Sequence, residues 1–299
     1  MIAAELLRFK SRRLVKWLTF FAALAIAFSG FLVFINSRAE GPGALSDDAV
    51  REMPIYEDCA SGAFGDPPPG TGTREEFCLD IARQSSFIED KRFQASEMDE
   101  IVIGMTVPLA MLALFLGASF IGAEWQKGTM TTTLTWENRR WVVFGAKALA
   151  VVVGTIALFV LLQAFLALVL LPSALFRGTT EGLDAAWWKD TAVTFARCGA
   201  VTALVGVVGM SLASLGRNTA VALGIAFGYM VVLENLIRAL KPQWQQWLVI
   251  DNVGAFVTGD TSPFPGMLHS GTSAGLLVLA YSAAVAALAY AFFRTLDVT

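Results

Sequence analysis

Long apolar runs alternate with short charged segments along this chain. Six runs are almost free of Asp, Glu, Lys and Arg. A bilayer core of roughly 30 Å is crossed by about 20 apolar residues in a helix, and a helix satisfies its own backbone polar groups. The pattern therefore predicts an all-α polytopic membrane protein with one transmembrane domain over residues 1–299. Its six transmembrane helices are expected at residues 17–37, 101–123, 142–171, 191–215, 218–237 and 272–293.

The distribution of basic residues predicts the orientation. The first 16 residues carry Arg8, Lys10, Arg12, Arg13 and Lys16, whereas segment 38–100 carries 15 acidic and 6 basic residues, a net charge of -9. Cytoplasmic loops are the basic ones in membrane proteins. We therefore expect both termini in the cytoplasm, segment 38–100 outside, and the chain in the plasma membrane of a bacterium.

The N-terminal segment 1–16 predicts a helix that lies on the inner membrane surface. Ile2, Leu6 and Phe9 share one helical face, and a separate face carries basic residues at a spacing of four, namely Arg8, Arg12 and Lys16. Apolar anchoring and attraction to anionic membrane lipid both favour that position. A basic flank that only sets the topology is the alternative.

Two outer segments carry structure of their own. Segment 38–100 contains Cys59 and Cys78, and two thiols outside the membrane can pair, so a disulfide is expected; two unpaired thiols are the alternative. Segment 239–271 is too apolar for a free loop, yet Pro263 and Pro265 interrupt it. It predicts a re-entrant or interfacial helix pair before the sixth span.

Composition excludes several functions. The net charge of -3 argues against nucleic-acid binding, and a single His among 299 residues argues against a metal site. No phosphate-binding GxxxxGK[ST] motif occurs, so the chain is not expected to hydrolyse ATP or to be an enzyme. A membrane hydrolase is disfavoured further, because His269 falls in a Pro- and Gly-rich outer loop.

Two charged residues interrupt the apolar runs. Arg197 lies in the fourth predicted span and Glu234 in the fifth, each about one to two turns below the outer surface. Charges inside spans are costly and are usually paired or functional. We expect a structural ion pair between them. A substrate or gating role, or a local pair of Glu234 with Arg238, is the alternative.

The predicted inner loop 124–141 holds the most informative motif. From Gly122 to Ala150 the chain reads GAEWQKGTMTTTLTWENRRWVVFGAKALA. This stretch resembles the membrane subunits, or permeases, of type-2 ABC transporters, the export class. In that family an acidic residue is followed by Gly-Thr, a short helix, Arg and then Lys. The matching positions here are Glu124, Gly128, Thr129, Arg139 or Arg140, and Lys147.

The resemblance implies a coupling loop that docks on a separate ATP-binding subunit. Its candidate residues are Glu124, Gly128, Thr129, Thr131, Trp136, Arg139 and Arg140. Glu124 would pair with a basic residue of the surface helix or of the partner. ATP and magnesium would be bound by that partner, so no cofactor is expected in this chain. An ordinary solvated cytoplasmic loop is the alternative.

The resemblance also implies two permease subunits, identical or different, with a pathway between the subunits that is lined by spans two and five. Apolar, flexible residues there would suit an amphipathic, drug-like, peptide or lipid-like substrate; ordinary packing is the alternative for each. These residues are Met105, Met111, Phe115, Phe227 and Met230. The other function considered is a membrane-embedded sensor or assembly protein whose acidic outer segment binds a ligand.

Overall fold

A computed structural model of the chain describes residues 2–37, 47–68, 73–84, 92–137, 139–180, 182–260 and 270–295. The described residues are predominantly helical. Their α-helices are α1 (Ile2–Ser11), α2 (Arg13–Asn36), α3 (Asp47–Arg51), α4 (Pro54–Ala60), α5 (Arg74–Gln84), α6 (Met98–Gln126), α7 (Thr129–Trp136), α8 (Arg140–Arg177), α9 (Ala185–Gly216), α10 (Thr219–Phe227), α11 (Glu234–Leu240), α12 (Val249–Thr258) and α13 (Gly271–Thr295). Two-residue strands β1 (Phe93–Gln94) and β2 (Gly178–Thr179) pair in parallel.

Six helical segments of the described residues are long and apolar enough to cross a membrane, which confirms the predicted number. They are Arg13–Asn36, Ala95–Gln126, Arg140–Arg177, Ala185–Gly216, Thr219–Leu240 and Gly271–Thr295. Several exceed the predicted bounds, because helices continue through polar residues that the hydropathy pattern leaves out. At the start of α9, for example, the Asp184 side chain accepts a hydrogen bond from the backbone N–H of Trp187.

The described chain divides into two compact units. Unit one comprises Met1–Ile26, Glu97–Phe165 and Asp184–Thr299. Its core lies where α6 and α9 approach closely: a Cβ added at Gly117 would collide with the carbonyl of Gly206, and one at Gly209 with the carbonyl of Leu114. Small residues allow such close approach of spanning helices. Accordingly, 61% of the residues in the most apolar stretch of α9 are buried. In the fifth span the corresponding share is 17%, because most of its apolar side chains face outward.

Unit two comprises Ala27–Ser96 and Leu166–Leu183. Cys59 of α4 and Cys78 of α5 form the expected disulfide. A small core of Val50, Leu79 and Ala82 lies beside it. Arg51 donates to Glu75 at 2.6 Å, which links α3 to α5. Residues 38–46, 69–72 and 85–91 of the predicted outer segment lie outside the described residues.

The fifth span is helical from Thr219 to Leu240, as predicted, but it is not α-helical throughout. A π-helix, Gly228–Leu233, joins α10 to α11. A tight turn precedes this span: Arg217 adopts a left-handed conformation with φ of 50°, and Asn218 caps α10 by accepting from the N–H of Ala220. π-Helical turns inside α-helices are frequent at functional sites.

The described residues of segment 239–271 include helices before the sixth span, whereas their re-entrant or interfacial position stays a prediction. A 3₁₀-helix, Pro242–Trp247, leads into α12, and the Tyr281 hydroxyl of α13 donates to the Trp247 carbonyl at 3.1 Å. His269, Pro263 and Pro265 lie outside the described residues.

Candidate functional site

A group of charges, three of them buried and one half-buried, joins four segments at one end of unit one. Its members are Glu5 of α1, Arg12 between α1 and α2, Glu124 in the last turn of α6 and Lys147 near the start of α8; we call them the charge cluster. Lys147 is 0% exposed. Its Nζ lies 2.7 Å from Glu124 Oε2 and 3.1 Å from Glu5 Oε2, and its hydrogen bond goes to Glu5. One lysine therefore holds two buried carboxylates.

Arg12 closes the other side of the cluster. Its guanidinium donates to the backbone carbonyls of Ser119 at 2.7 Å and Phe120 at 2.8 Å, and lies 3.5 Å from Glu124 Oε1. It also lies over the Phe120 ring, 4.7 Å from the centroid. Burial lowers the pKa of the Arg12 guanidinium from its usual value, whereas Glu124 and Glu5 oppose that shift.

Each charge of the cluster has a neighbour of opposite charge. Arg8 donates to Glu5 at 2.9 Å, so the order of contacts runs Arg8, Glu5, Lys147, Glu124, Arg12. Burying a charge costs several kcal/mol unless it is paired and hydrogen-bonded. Removing a central member would therefore leave a buried partner uncompensated.

The N-terminal segment corrects one prediction. α1 ends at Ser11 and α2 begins at Arg13, so Arg8, Arg12 and Lys16 do not share one helix or one face. Phe9 is 4% exposed and packs edge-on against Phe120 at 5.5 Å. The expected apolar face of this segment thus packs partly on the protein, because Phe9 and Glu5 both turn toward α6 and α8.

A short helix, α7, follows the charge cluster. Gly128 precedes it in a left-handed conformation with φ of 70°, which favours glycine. Met130 and Leu134, one turn apart, are 0% and 7% exposed and anchor α7 in the core of unit one. The remaining face is polar and open: Thr131 and Thr135 are exposed, and Trp136 is 88% exposed.

The two arginines of this loop are held separately. Arg139 forms hydrogen bonds with the Glu137 side chain, which lower the pKa of the Glu137 carboxyl. Arg140 donates to the carbonyls of Phe293 at 3.1 Å and Arg294 at 3.0 Å, which fixes the start of α8 to the end of α13.

A cleft of about 1060 Å³ opens between α1, the end of α6 and α7. Thr129, Thr132, Thr133 and Trp136 line it from α7, whereas Thr131 and Thr135 do not. α7 therefore presents two different surfaces, one toward the cleft and one away from it.

At the other end of unit one, the structure contradicts the expected ion pair between Arg197 and Glu234. Glu234 is 0% exposed and accepts hydrogen bonds from the backbone N–H groups of Val249 at 2.8 Å and Ile250 at 3.2 Å. It thereby caps the first turn of α12. Arg197 lies over the Phe256 ring at 5.9 Å instead. A carboxylate can be satisfied by free N–H groups of a helix start as well as by a cation.

The local alternative, Glu234 with Arg238, is not formed either. Arg238 of α11 instead forms an ion pair with Asp251 of α12, donating to its Oδ1 at 2.9 Å. Asn252 donates to the carbonyls of Gln246 and Leu248, which fixes the same helix start.

The sequence did not predict the roles of Glu5 and Asp251. Glu5 lies on the apolar side of α1, one turn before Phe9, where a carboxylate signals a buried partner. Of the residues expected to line a pathway, Phe115 and Phe227 are 37% and 46% exposed. Met105, Met111 and Met230 are half-buried.

Comparison with known proteins supports the membrane assignment. The chain is 28% identical over 184 residues to the uncharacterized membrane protein YdbK of Bacillus subtilis (strain 168), and the match covers 58% of this chain and 72% of that protein. No family model matches the chain, and no solved structure matches it. Together with the six apolar helices, the similarity identifies a multi-pass membrane protein.

Proposed function

We propose that this chain is the membrane-spanning permease subunit of an ATP-driven exporter and that α7 docks on a separate ATP-binding subunit. The observation that carries the proposal is the construction of α7. Its apolar side is fixed in the core through Met130 and Leu134, while its polar side is exposed on a helix of eight residues. A helix that is anchored on one side and open on the other suits a docking contact.

The charge cluster provides a rigid connection from α7 to the spanning helices. α7 follows α6 after two residues, and Glu124 in the last turn of α6 contacts Lys147 of α8 and Arg12 before α2. Displacement of α7 would therefore move three spans together. This is the mechanical requirement for coupling ATP hydrolysis in a partner to movement in the membrane.

In this proposal the chain contributes half of a pathway. A second permease subunit, identical or different, supplies the other half, and the partner subunits bind ATP and magnesium. The half-buried and exposed apolar residues of α6, α10 and the π-helix face an amphipathic, drug-like, peptide or lipid-like cargo. They are Met105, Met111, Phe115, Phe227 and Met230.

The test is co-purification of the full chain with an ATP-binding protein encoded beside it. Replacing Thr131 and Thr135 by Arg changes the α7 surface that faces away from the cleft and leaves Met130 and Leu134 intact. We expect loss of the partner from the purified complex and loss of chain-stimulated ATP hydrolysis. Ser11→Arg is the control for an added exposed arginine, since Ser11 ends α1 and, among the described residues, its hydroxyl donates only to the Arg8 carbonyl. Unchanged association in the Thr131 and Thr135 variant would refute the docking surface.

A sensor or assembly protein is the second candidate, favoured by unit two. That unit has its own small core and a disulfide between Cys59 and Cys78, as expected of a segment that folds outside a reducing cytoplasm. If the chain purifies stably alone, and no ATP-binding protein associates with it, this candidate replaces the exporter.

A further inference from the structure

We propose that the cleft between α1, α6 and α7 binds the phosphate headgroup of an anionic phospholipid, with Arg13 and Lys127 as its cationic contacts. Both residues line the cleft and both are exposed. The proposal does not depend on an ATP-binding partner.

The first argument is an imbalance of charge in the cleft lining. Its carboxylates are already paired: Glu5 with Arg8 and Lys147, Glu124 with Arg12 and Lys147, and Glu137 with Arg139. Arg13 and Lys127 have no carboxylate within 4.0 Å among the residues that the structure describes. Two cations without a neutralising partner therefore line one open cavity. A bound anion would neutralise their charge and accept hydrogen bonds from both.

The second argument is the position of the cleft. Arg13 is the first residue of the α2 span, and Lys127 directly follows Gln126, the last residue of the α6 span. Charged lipid headgroups lie at the level where apolar spans begin and end. Trp136, which is 88% exposed, lines the same cleft, and exposed Trp is typical of that level.

The third argument is an apolar path that leaves the cleft. Leu14 lines the cleft, and Trp17, Phe21 and Leu24 follow it along α2 at spacings that place them on one helical face. Their exposed fractions are 38%, 59%, 56% and 55%. A phospholipid has the matching form, with an anionic headgroup joined to apolar chains, whereas a free phosphate ion would use only the cationic part.

The test uses the full chain in detergent micelles with equal amounts of phosphatidylglycerol and phosphatidylcholine, and counts retained lipid by native mass spectrometry. We expect the wild type to retain phosphatidylglycerol preferentially. The double variant Arg13→Gln with Lys127→Gln should lower its occupancy about tenfold, given the attraction of membrane-facing cations for anionic lipid. The double variant Lys10→Gln with Lys16→Gln is the matched control. This control loses the same charge at exposed positions outside the cleft. Its phosphatidylglycerol occupancy should change less than about twofold if the contacts of Arg13 and Lys127 dominate binding.

Each contrary result overturns the proposal. Equal losses in both double variants would indicate diffuse attraction to the basic end of the protein. Displacement of the lipid by inorganic phosphate alone would indicate a simple anion site. Unchanged lipid retention combined with lost association of an ATP-binding protein would assign the cleft to that partner. If the double variant fails to fold, Lys127→Gln alone is measured, and it should still lower phosphatidylglycerol occupancy relative to Lys10→Gln.

Discussion

Two buried carboxylates at the two ends of unit one are stabilised in different ways. Glu124, 7% exposed, lies between Lys147 and Arg12, whereas Glu234, 0% exposed, accepts hydrogen bonds from the first N–H groups of α12. The first arrangement depends on full opposite charges, and the second on backbone dipoles at a helix start. The comparison shows that a carboxylate in an apolar run does not by itself predict a cationic partner.

The largest effect is expected from breaking the first arrangement. Lys147→Met leaves Glu5 and Glu124 side by side without the lysine that holds both, although Arg12 and Arg8 remain. Removing one member of a buried ion pair typically costs about 3–5 kcal/mol of stability. The midpoint of thermal unfolding of the purified chain should fall accordingly, and the yield of folded protein with it.

The control for Lys147→Met is Lys10→Met, which removes an exposed lysine from the same end of the chain. A shift of similar size in both variants would contradict the role of the charge cluster. Adding Glu5→Gln and Glu124→Gln to Lys147→Met should recover part of the loss, because neutral amides leave no uncompensated charge.

A smaller and more local effect is expected at the second carboxylate. Glu234→Ala leaves the N–H groups of Val249 and Ile250 without their acceptor, and an unsatisfied buried donor costs about 1–3 kcal/mol. Hydrogen exchange should accelerate in α12 (Val249–Thr258) more than in α6. Glu234→Gln should restore much of the protection, because an amide oxygen still accepts, whereas Glu124→Gln loses its ion pairs. If Glu234→Gln and Glu124→Gln accelerated hydrogen exchange equally, the two carboxylates would not be stabilised in different ways.

The sequence predicted the spans well, because long apolar runs and Pro or Gly interruptions are local signals. The resemblance implied a short helix after Gly128 and a pairing of Glu124 with a basic residue of the surface helix or of a partner; in the structure α7 follows Gly128 and Arg12 contacts Glu124. The ends of α8 and α9 were placed too far inward. Charged and polar residues such as Arg140 and Asp184 continue or cap a helix beyond its hydrophobic part, and hydropathy does not register that.

The side-chain partners were less predictable, because they depend on how helices distant in sequence pack. Glu5 and Lys147 are 142 positions apart, and nothing local indicates that they meet. The similar depth of Arg197 and Glu234, together with the short connection between their spans, predicts an ion pair between them. Depth, however, does not reveal that α12 presents its N-terminal N–H groups to Glu234 while Arg197 lies over Phe256.

The smallest expected effect tests that last correction. A double-mutant cycle of Arg197→Ala and Glu234→Ala should show an interaction energy within about 0.5 kcal/mol, as for residues that share no direct contact. The readout is the midpoint of thermal unfolding of the two single variants, the double variant and the wild type. Arg238→Ala with Asp251→Ala is the matched cycle, since these side chains are in contact at 2.9 Å, and it should show a measurable coupling. A larger coupling between Arg197 and Glu234 than between Arg238 and Asp251 would restore the ion pair that the sequence predicted. It would also show that the two ends of unit one stabilise their carboxylates in the same way.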